Sequence, residues 1–163
     1  MARSGLPLET PDKGDGPSSH PVRLLLVDRD ARVRSAIHET ITLESDLTLV
    51  AEAADASAAL AMADSTSPAV ALVDLLLPDI GTGLDLVHSL SQRPGCAVVA
   101  MSGQGGLREA ALAAGAFALV DKSGDIDAIL TTVRASIRPR MIDSKGSPEL
   151  LDLLHAWEPE DWA

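Results

Sequence analysis

The stretch VRLLLVDRD, Val22–Asp30, decides the fold: a continuous apolar run stops abruptly at acidic residues. Three later runs have the same form. Ala69–Val73 ends at Asp74, Ala97–Met101 at Ser102, and Phe117–Asp121 at Lys122. Runs of this length without polar alternation suit strands buried on both faces, the habit of parallel sheets. Helical patterns separate them. Val33, Ile37 and Ile41 share one face over Asp30–Leu43, Asp55 can cap a helix running to about Asp64, and another helix is expected over roughly Gly83–Ser91 after a Pro78–Thr82 turn. Gly103–Gly106 loosens the start of a helix ending near Ala114, with Gly115 as its C-cap. A last helix covers about Asp125–Ile137, and Pro139 is expected to stop it.

Leu47–Ala51 reads as a further strand that alternates more, as an edge does. Strands alternating with helices imply right-handed crossovers and a parallel sheet. The expected fold is α/β, flavodoxin-like (βα)5, with a five-stranded parallel sheet in the order 2-1-3-4-5. In that order Asp28, Asp74, Ser102 and Lys122 fall side by side at the carboxyl edge, where open α/β sheets bind ligands. Two carboxylates, a hydroxyl and an ammonium are groups that can handle a phosphoryl transfer.

The chain has 163 residues, enough for one domain with a real core plus tails. Residues 1–20 read as a disordered arm rich in Gly, Pro and Ser, residues 21–138 as the ordered domain, and 139–163 as a tail. Net charge is −11, which opposes nucleic-acid binding. Cys96 is the only cysteine, so no internal disulfide forms; this fits a reducing cytoplasm. No apolar stretch suits a membrane span or a secretory signal, and the expected location is cytoplasmic, with no membrane partner. His20, His38, His88 and His155 are isolated and form no metal cluster with Cys96. Gly103-Gln104-Gly105-Gly106 lacks the Walker lysine, and no glycine fingerprint follows the first strand, which makes a nucleotide-binding enzyme the weakest reading.

LLLVDRD at Leu24–Asp30, VDLLLPDIGTG at Val73–Gly83, AMSG at Ala100–Gly103 and VDKS at Val120–Ser123 together resemble the receiver domain of response regulators in two-component signalling. The resemblance covers roughly residues 22–138. It implies that Asp74 accepts a phosphoryl group from a histidine kinase or phosphotransfer protein, forming an acyl phosphate. Lys122 would neutralise the phosphoryl oxygens and Ser102 would bind one of them as a switch. Only three lysines occur in the chain, so one at a strand end stands out. Asp28, Asp30, Asp74 and the backbone carbonyl of Leu76 would hold Mg²⁺. No enzyme activity is implied beyond autocatalytic phosphotransfer and dephosphorylation.

Arg29 departs from the family pattern, which places two adjacent acids after the first strand. Three readings stay open: Asp30 swings in to restore the ion site, Arg29 points to solvent and leaves Asp28 and Asp74 as a weak one, or the guanidinium pairs with Asp74 and replaces the ion. Mg²⁺ is therefore expected to be weakened or absent. Leu119 stands where the family has a switching aromatic ring, while Phe117 reads as core. The Pro78–Gly83 turn is one residue longer than the pattern unless Gly81 takes the glycine's role. Leu76 is apolar where a polar residue could orient water, so slow loss of phosphate is expected.

The tail has one helical signal, about 148–157. Ser147 can cap it, Pro148 fits the first turn, and Leu150, Leu153, Leu154 and Trp157 form an apolar stripe. That stripe would dock on its own domain, on a downstream protein partner, or on a second copy as a homodimer. The expected function is a stand-alone receiver signalling by protein–protein contact. The alternatives are a pseudo-receiver that is not phosphorylated and a truncated DNA-binding regulator.

Overall fold

In the computed structural model, which describes residues 20–143, five parallel strands form one sheet in the order β2-β1-β3-β4-β5. The strands are β1 (Val22–Val27), β2 (Leu47–Ala53), β3 (Val70–Asp74), β4 (Ala97–Ser102) and β5 (Ala118–Asp121). The helices are α1 (Ala31–Thr42), α2 (Ala56–Thr66), α3 (Ile80–Ser91), α4 (Arg108–Ala114) and α5 (Ile126–Asp143). The expected strand order is the observed one. The continuous apolar runs are explained by burial on both faces. Leu24 and Leu26 face one core with Val70, Leu72, Val99 and Met101, closed by Ile37 and Ile41 of α1 and by Ile129, Leu130 and Val133 of α5. Leu25 and Val27 face the other with Ala71, Val73, Val98 and Ala100, closed by α2, α3 and α4. The period-two alternation of β1 thus supplies both layers.

Three expectations are corrected. The helix expected from Gly83 begins at Ile80, because Asp79 adopts extended backbone and its carboxylate accepts from Thr82 N at 2.8 Å. An N-cap satisfies donors the first turn leaves orphaned, so most of the presumed turn joins the helix. Pro139 does not stop the last helix, which continues to Asp143. A proline inside a helix removes one rung at a cost of about 3 kcal/mol. It does not forbid a helix anchored upstream by Ile129, Leu130 and Val133. Phe117 is not core: it is 44% exposed, just ahead of the edge strand β5, where no further strand covers it.

One glycine carries a steric requirement. A Cβ at Gly83 would lie 1.9 Å from the Leu75 carbonyl oxygen. Backbone cannot yield as a flexible side chain can, so α3 packs directly on the segment that follows Asp74. A Cβ at Gly81 would meet only Asp79 Oδ1, at 3.3 Å. Gly83 therefore fills the close-approach position, and Gly81 does not. At the opposite end of the molecule Arg134 on α5 bonds both Asp46 and Glu44, tying the last helix to the α1–β2 connection.

Candidate functional site

The carboxyl ends of β1, β3 and β5 deliver Asp28, Asp74 and Lys122 to one point. Lys122 Nζ lies 2.7 Å from Asp28 Oδ2 and donates to Asp74 Oδ2 at 2.9 Å. Both carboxylates are buried, Asp28 completely and Asp74 to within 3%. The parallel register explains the meeting. Val27 pairs with Val73, so the next residue on each strand reaches the same level. Lys122 follows β5, held by its backbone N–H donating to the Ser102 carbonyl at 3.0 Å.

Each carboxylate is also fixed by backbone. Asp28 Oδ1 accepts from Asp30 N at 2.8 Å, and Asp74 Oδ1 accepts from Leu76 N at 3.1 Å. Asp28 Oδ2 is different. It is buried, and its partner is the Lys122 ammonium, in an ion pair at 2.7 Å. Burial acts against the charge of Lys122, but Asp28 and Asp74 outweigh it and hold its pKa above the ordinary lysine value.

Ser102 is nearly buried at the end of β4, next to the strand that carries Asp74. Its hydroxyl is turned to its own loop, accepting from Gln104 N at 3.0 Å and donating to Gln104 O at 3.2 Å. The loop beyond it is lightly constrained. Gly103, Gln104, Gly105 and Gly106 are exposed, and the α4 N-terminus at Leu107 has no side-chain cap. Leu119 is half-buried and lines a small cavity of about 240 Å³ with Ser102 and the glycine loop.

The residues around Arg29 are resolved in space. Arg29 is exposed and makes no hydrogen bond or ion pair among the described residues. Its guanidinium does not pair with Asp74. Asp30 caps α1 through Arg32 N at 2.9 Å and pairs with the Arg32 side chain at 3.2 Å. That hydrogen bond holds the Asp30 pKa below the ordinary aspartate value. Leu76 is partly exposed, and only its N–H is committed, to Asp74.

Two contributors were not read from the sequence. Arg34 Nη1 donates to the Asp28 carbonyl at 2.6 Å and so fixes the turn that presents the Asp28 carboxylate. Its position one helical turn past the Asp30 cap was the available signal. Gly83 supports the segment after Asp74 by the close approach described above. A glycine in a helical pattern is itself that kind of signal.

A family model described as the response regulator receiver domain matches residues 24–134, and the chain belongs to this family. It is thus a receiver domain of two-component signalling. It is 31% identical over 121 residues to the probable transcriptional regulatory protein TcrX of Mycobacterium tuberculosis, covering 72% of this chain and 50% of that protein. It is 26% identical over 133 residues to the uncharacterized transcriptional regulatory protein YvfU of Bacillus subtilis, covering 79% and 64%. The chain therefore spans about half to two thirds of the length of these relatives. Among solved structures, a CheY-like receiver domain protein from Methanospirillum hungatei superposes with a TM-score of 0.67 at 25% identity, covering 76% of this chain and 99% of that one. A LuxR-family regulator from Aurantimonas sp. gives 0.65 at 28% identity, covering 71% and 84%.

Receiver domains typically bind Mg²⁺. Among the described residues no group of three or more His, Cys, Asp or Glu side chains gathers as a metal site. Mg²⁺ keeps several waters and is often held by one or two carboxylates plus phosphate oxygens. Asp28 and Asp74 meet that lower requirement, and the buried Asp28 Oδ2, whose partner is the Lys122 ammonium, is an oxygen donor at the site. The residues present fit the ion. Among the described residues no helix is long and apolar enough to cross a membrane.

Proposed function

We propose that this receiver accepts a phosphoryl group on Asp74 from the phosphohistidine of a kinase or phosphotransfer protein and passes the signal on by protein–protein contact. The observation that carries the reading is one ammonium bridging two buried carboxylates at strand ends, at 2.7 and 2.9 Å. An Asp74 oxygen attacks phosphorus, the phosphorus–nitrogen bond of the donor breaks, and the electron pair leaves with the imidazole. The transferring group is anionic, so catalysis is mainly positioning and charge neutralisation. Lys122 supplies a cation that is kept protonated by its partners. Ser102, now bonded within its loop, can turn its hydroxyl to the new phosphoryl oxygen and draw the glycine-rich loop with it.

Asp28, Asp74 and the Leu76 carbonyl would hold Mg²⁺, which supplies charge neutralisation on the phosphoryl group when bound. With Asp30 committed to Arg32 and an exposed cation at Arg29, the site has two carboxylates and binds the ion weakly. The receiver unit is read as residues 21–138, with the arm and the tail outside it, and the cytoplasm as its compartment. DNA contact needs a basic face to neutralise phosphates, which a net charge of −11 opposes, so the output is read as a protein partner.

Incubation with a small phosphodonor, with and without Mg²⁺, followed by mass spectrometry of the Asp74 peptide, tests this reading. A hydroxylamine-sensitive phosphate on Asp74, faster with Mg²⁺ and missing in Asp74→Asn, is the expected result. No acyl phosphate under either condition would overturn it. The unpaired Arg29 would then favour the second reading, an interaction module that is not phosphorylated.

A further inference from the structure

Between α1 and α5 lies an open cavity of about 450 Å³ that meets the phosphoryl site only at Lys122. Its walls are apolar: Val33, Ala36 and Ile37 from α1, Ile126 and Ile129 from α5, and Met101 beneath. Its mouth carries Arg32, ion-paired with Asp30, and Lys122, held by Asp28 and Asp74, while exposed Arg29, which has no ion pair among the described residues, directly follows β1. The cavity combines an apolar seat with a rim of paired charges, beside which Arg29 is the cation without a partner among the described residues.

We propose that the occupant is the C-terminal segment Ser147–Asp161 of the same chain, with Trp157 in the cavity. Two observations favour it. The first is reach. α5 ends at Asp143, and Ile129 lies about 21 Å back along its axis at 1.5 Å per residue. If the three residues after Asp143 reverse the chain, a helix over Ser147–Trp157 returns about 15 Å along α5, which brings the long Trp157 side chain to the near end of the cavity. The second is charge. Leu150, Leu153, Leu154 and Trp157 form an apolar stripe, and Glu158, Glu160 and Asp161 follow it directly. Seating the indole between Ile37 and Ile129 turns these acids toward the carboxyl edge of the sheet, where exposed Arg29 has no ion pair among the described residues. The pattern of apolar anchors with an acidic flank matches the groove and the cation beside it.

Fluorescence tests the docking. The chain has two tryptophans, both in the tail, and no tyrosine, so a full-length Trp162→Phe chain emits from Trp157 alone. The expected result is blue-shifted emission, independent of protein concentration, with acrylamide quenching several-fold below that of free tryptophan. Ala36→Glu, at an exposed position of α1, puts a carboxylate at the seat facing the acidic flank. It should shift emission to the red and restore quenching several-fold, with an unchanged far-UV circular dichroism spectrum. Leu154→Asp, within the apolar stripe of the tail sequence, should do the same. Solvent-like emission in the parent chain would overturn the proposal, as would shielding that neither variant changes. Shielding that grows with concentration would assign the groove to a second copy and overturn it too.

Discussion

Replacing Lys122 by methionine keeps most of the side-chain volume and removes the one charge that separates two buried carboxylates. Asp28 is fully buried and Asp74 nearly so, and both lie within 2.9 Å of the ammonium. Removing one member of a buried ionic group costs about 3–5 kcal/mol, because the remaining charge is left uncompensated. The Lys122 side chain is 20% exposed, so some water already reaches it, and the lower end, about 3 kcal/mol, is expected. With a urea m-value of about 2 kcal/mol/M, the midpoint should fall by about 1.5 M at unchanged m. Far-UV circular dichroism is the assay, since both tryptophans lie in the tail. Saturating Mg²⁺ should relieve the loss at pH 7, by about 2.7 kcal/mol at a hundredfold excess over Kd. The double variant Lys122→Met/Asp28→Asn should recover most of the loss. A destabilisation under about 1 kcal/mol, or a double variant no more stable than the single one, would show that the ammonium does not balance this pair.

Other outcomes follow from the same geometry. Arg29→Asp adds a carboxylate beside Asp28 and removes a cation, so calorimetry should find Mg²⁺ bound at least about tenfold more tightly, or 1.4 kcal/mol. Leu76→Asn supplies a polar group able to orient water beside Asp74 and should shorten the acyl-phosphate lifetime; an unchanged lifetime would count against the slow-loss reading. Gly83→Ala forces a Cβ to within 1.9 Å of the Leu75 carbonyl oxygen and should lower stability in urea by about 1–3 kcal/mol. Arg134→Met should cost no more than about 1 kcal/mol, less at high salt, since its ion pairs are largely solvated. The hydrogen bond from Arg134 lowers the Asp46 pKa below 3.8, so that contribution is present above pH 3.8 and is lost as pH falls through the folded value. The difference between parent and Arg134→Met should therefore vanish in acid.

The sheet was legible because its strands are buried on both faces. Leu24–Val27 and Val70–Val73 must face two cores at once, and that requirement leaves an unbroken apolar run in the sequence. Strand order followed from the run lengths and the edge-like pattern of Leu47–Val50. The helix ends were less readable, because competing local signals sit close together. Pro78 and the glycines at 81 and 83 suggest a turn, but the Asp79 carboxylate decides the matter with a single hydrogen bond. Pro139 suggests an end, and Phe117 suggests core; tertiary anchoring of α5 and the missing neighbour of β5 override both. At the carboxyl edge, sequence spacing placed Asp28, Asp74 and Lys122 at strand ends, and the register accounts for their contact. The orientation of Arg29 and the Asp30–Arg32 cap could not be read from spacing, since side chains next to a helix start choose among solvent, cap and site by small differences in energy.

The straps between neighbouring strand ends are made of main chain. Leu75 N–H donates to the Met101 carbonyl, and Lys122 N–H donates to the Ser102 carbonyl. A tug on Ser102 is therefore delivered to the backbone of both flanking loops, whichever side chain stands at position 119. Leucine there removes an aromatic pointer without cutting the cable. A side-chain scan of β5 would leave that cable intact, whereas the deuterium-exchange rate of the Lys122 amide would register its tension directly.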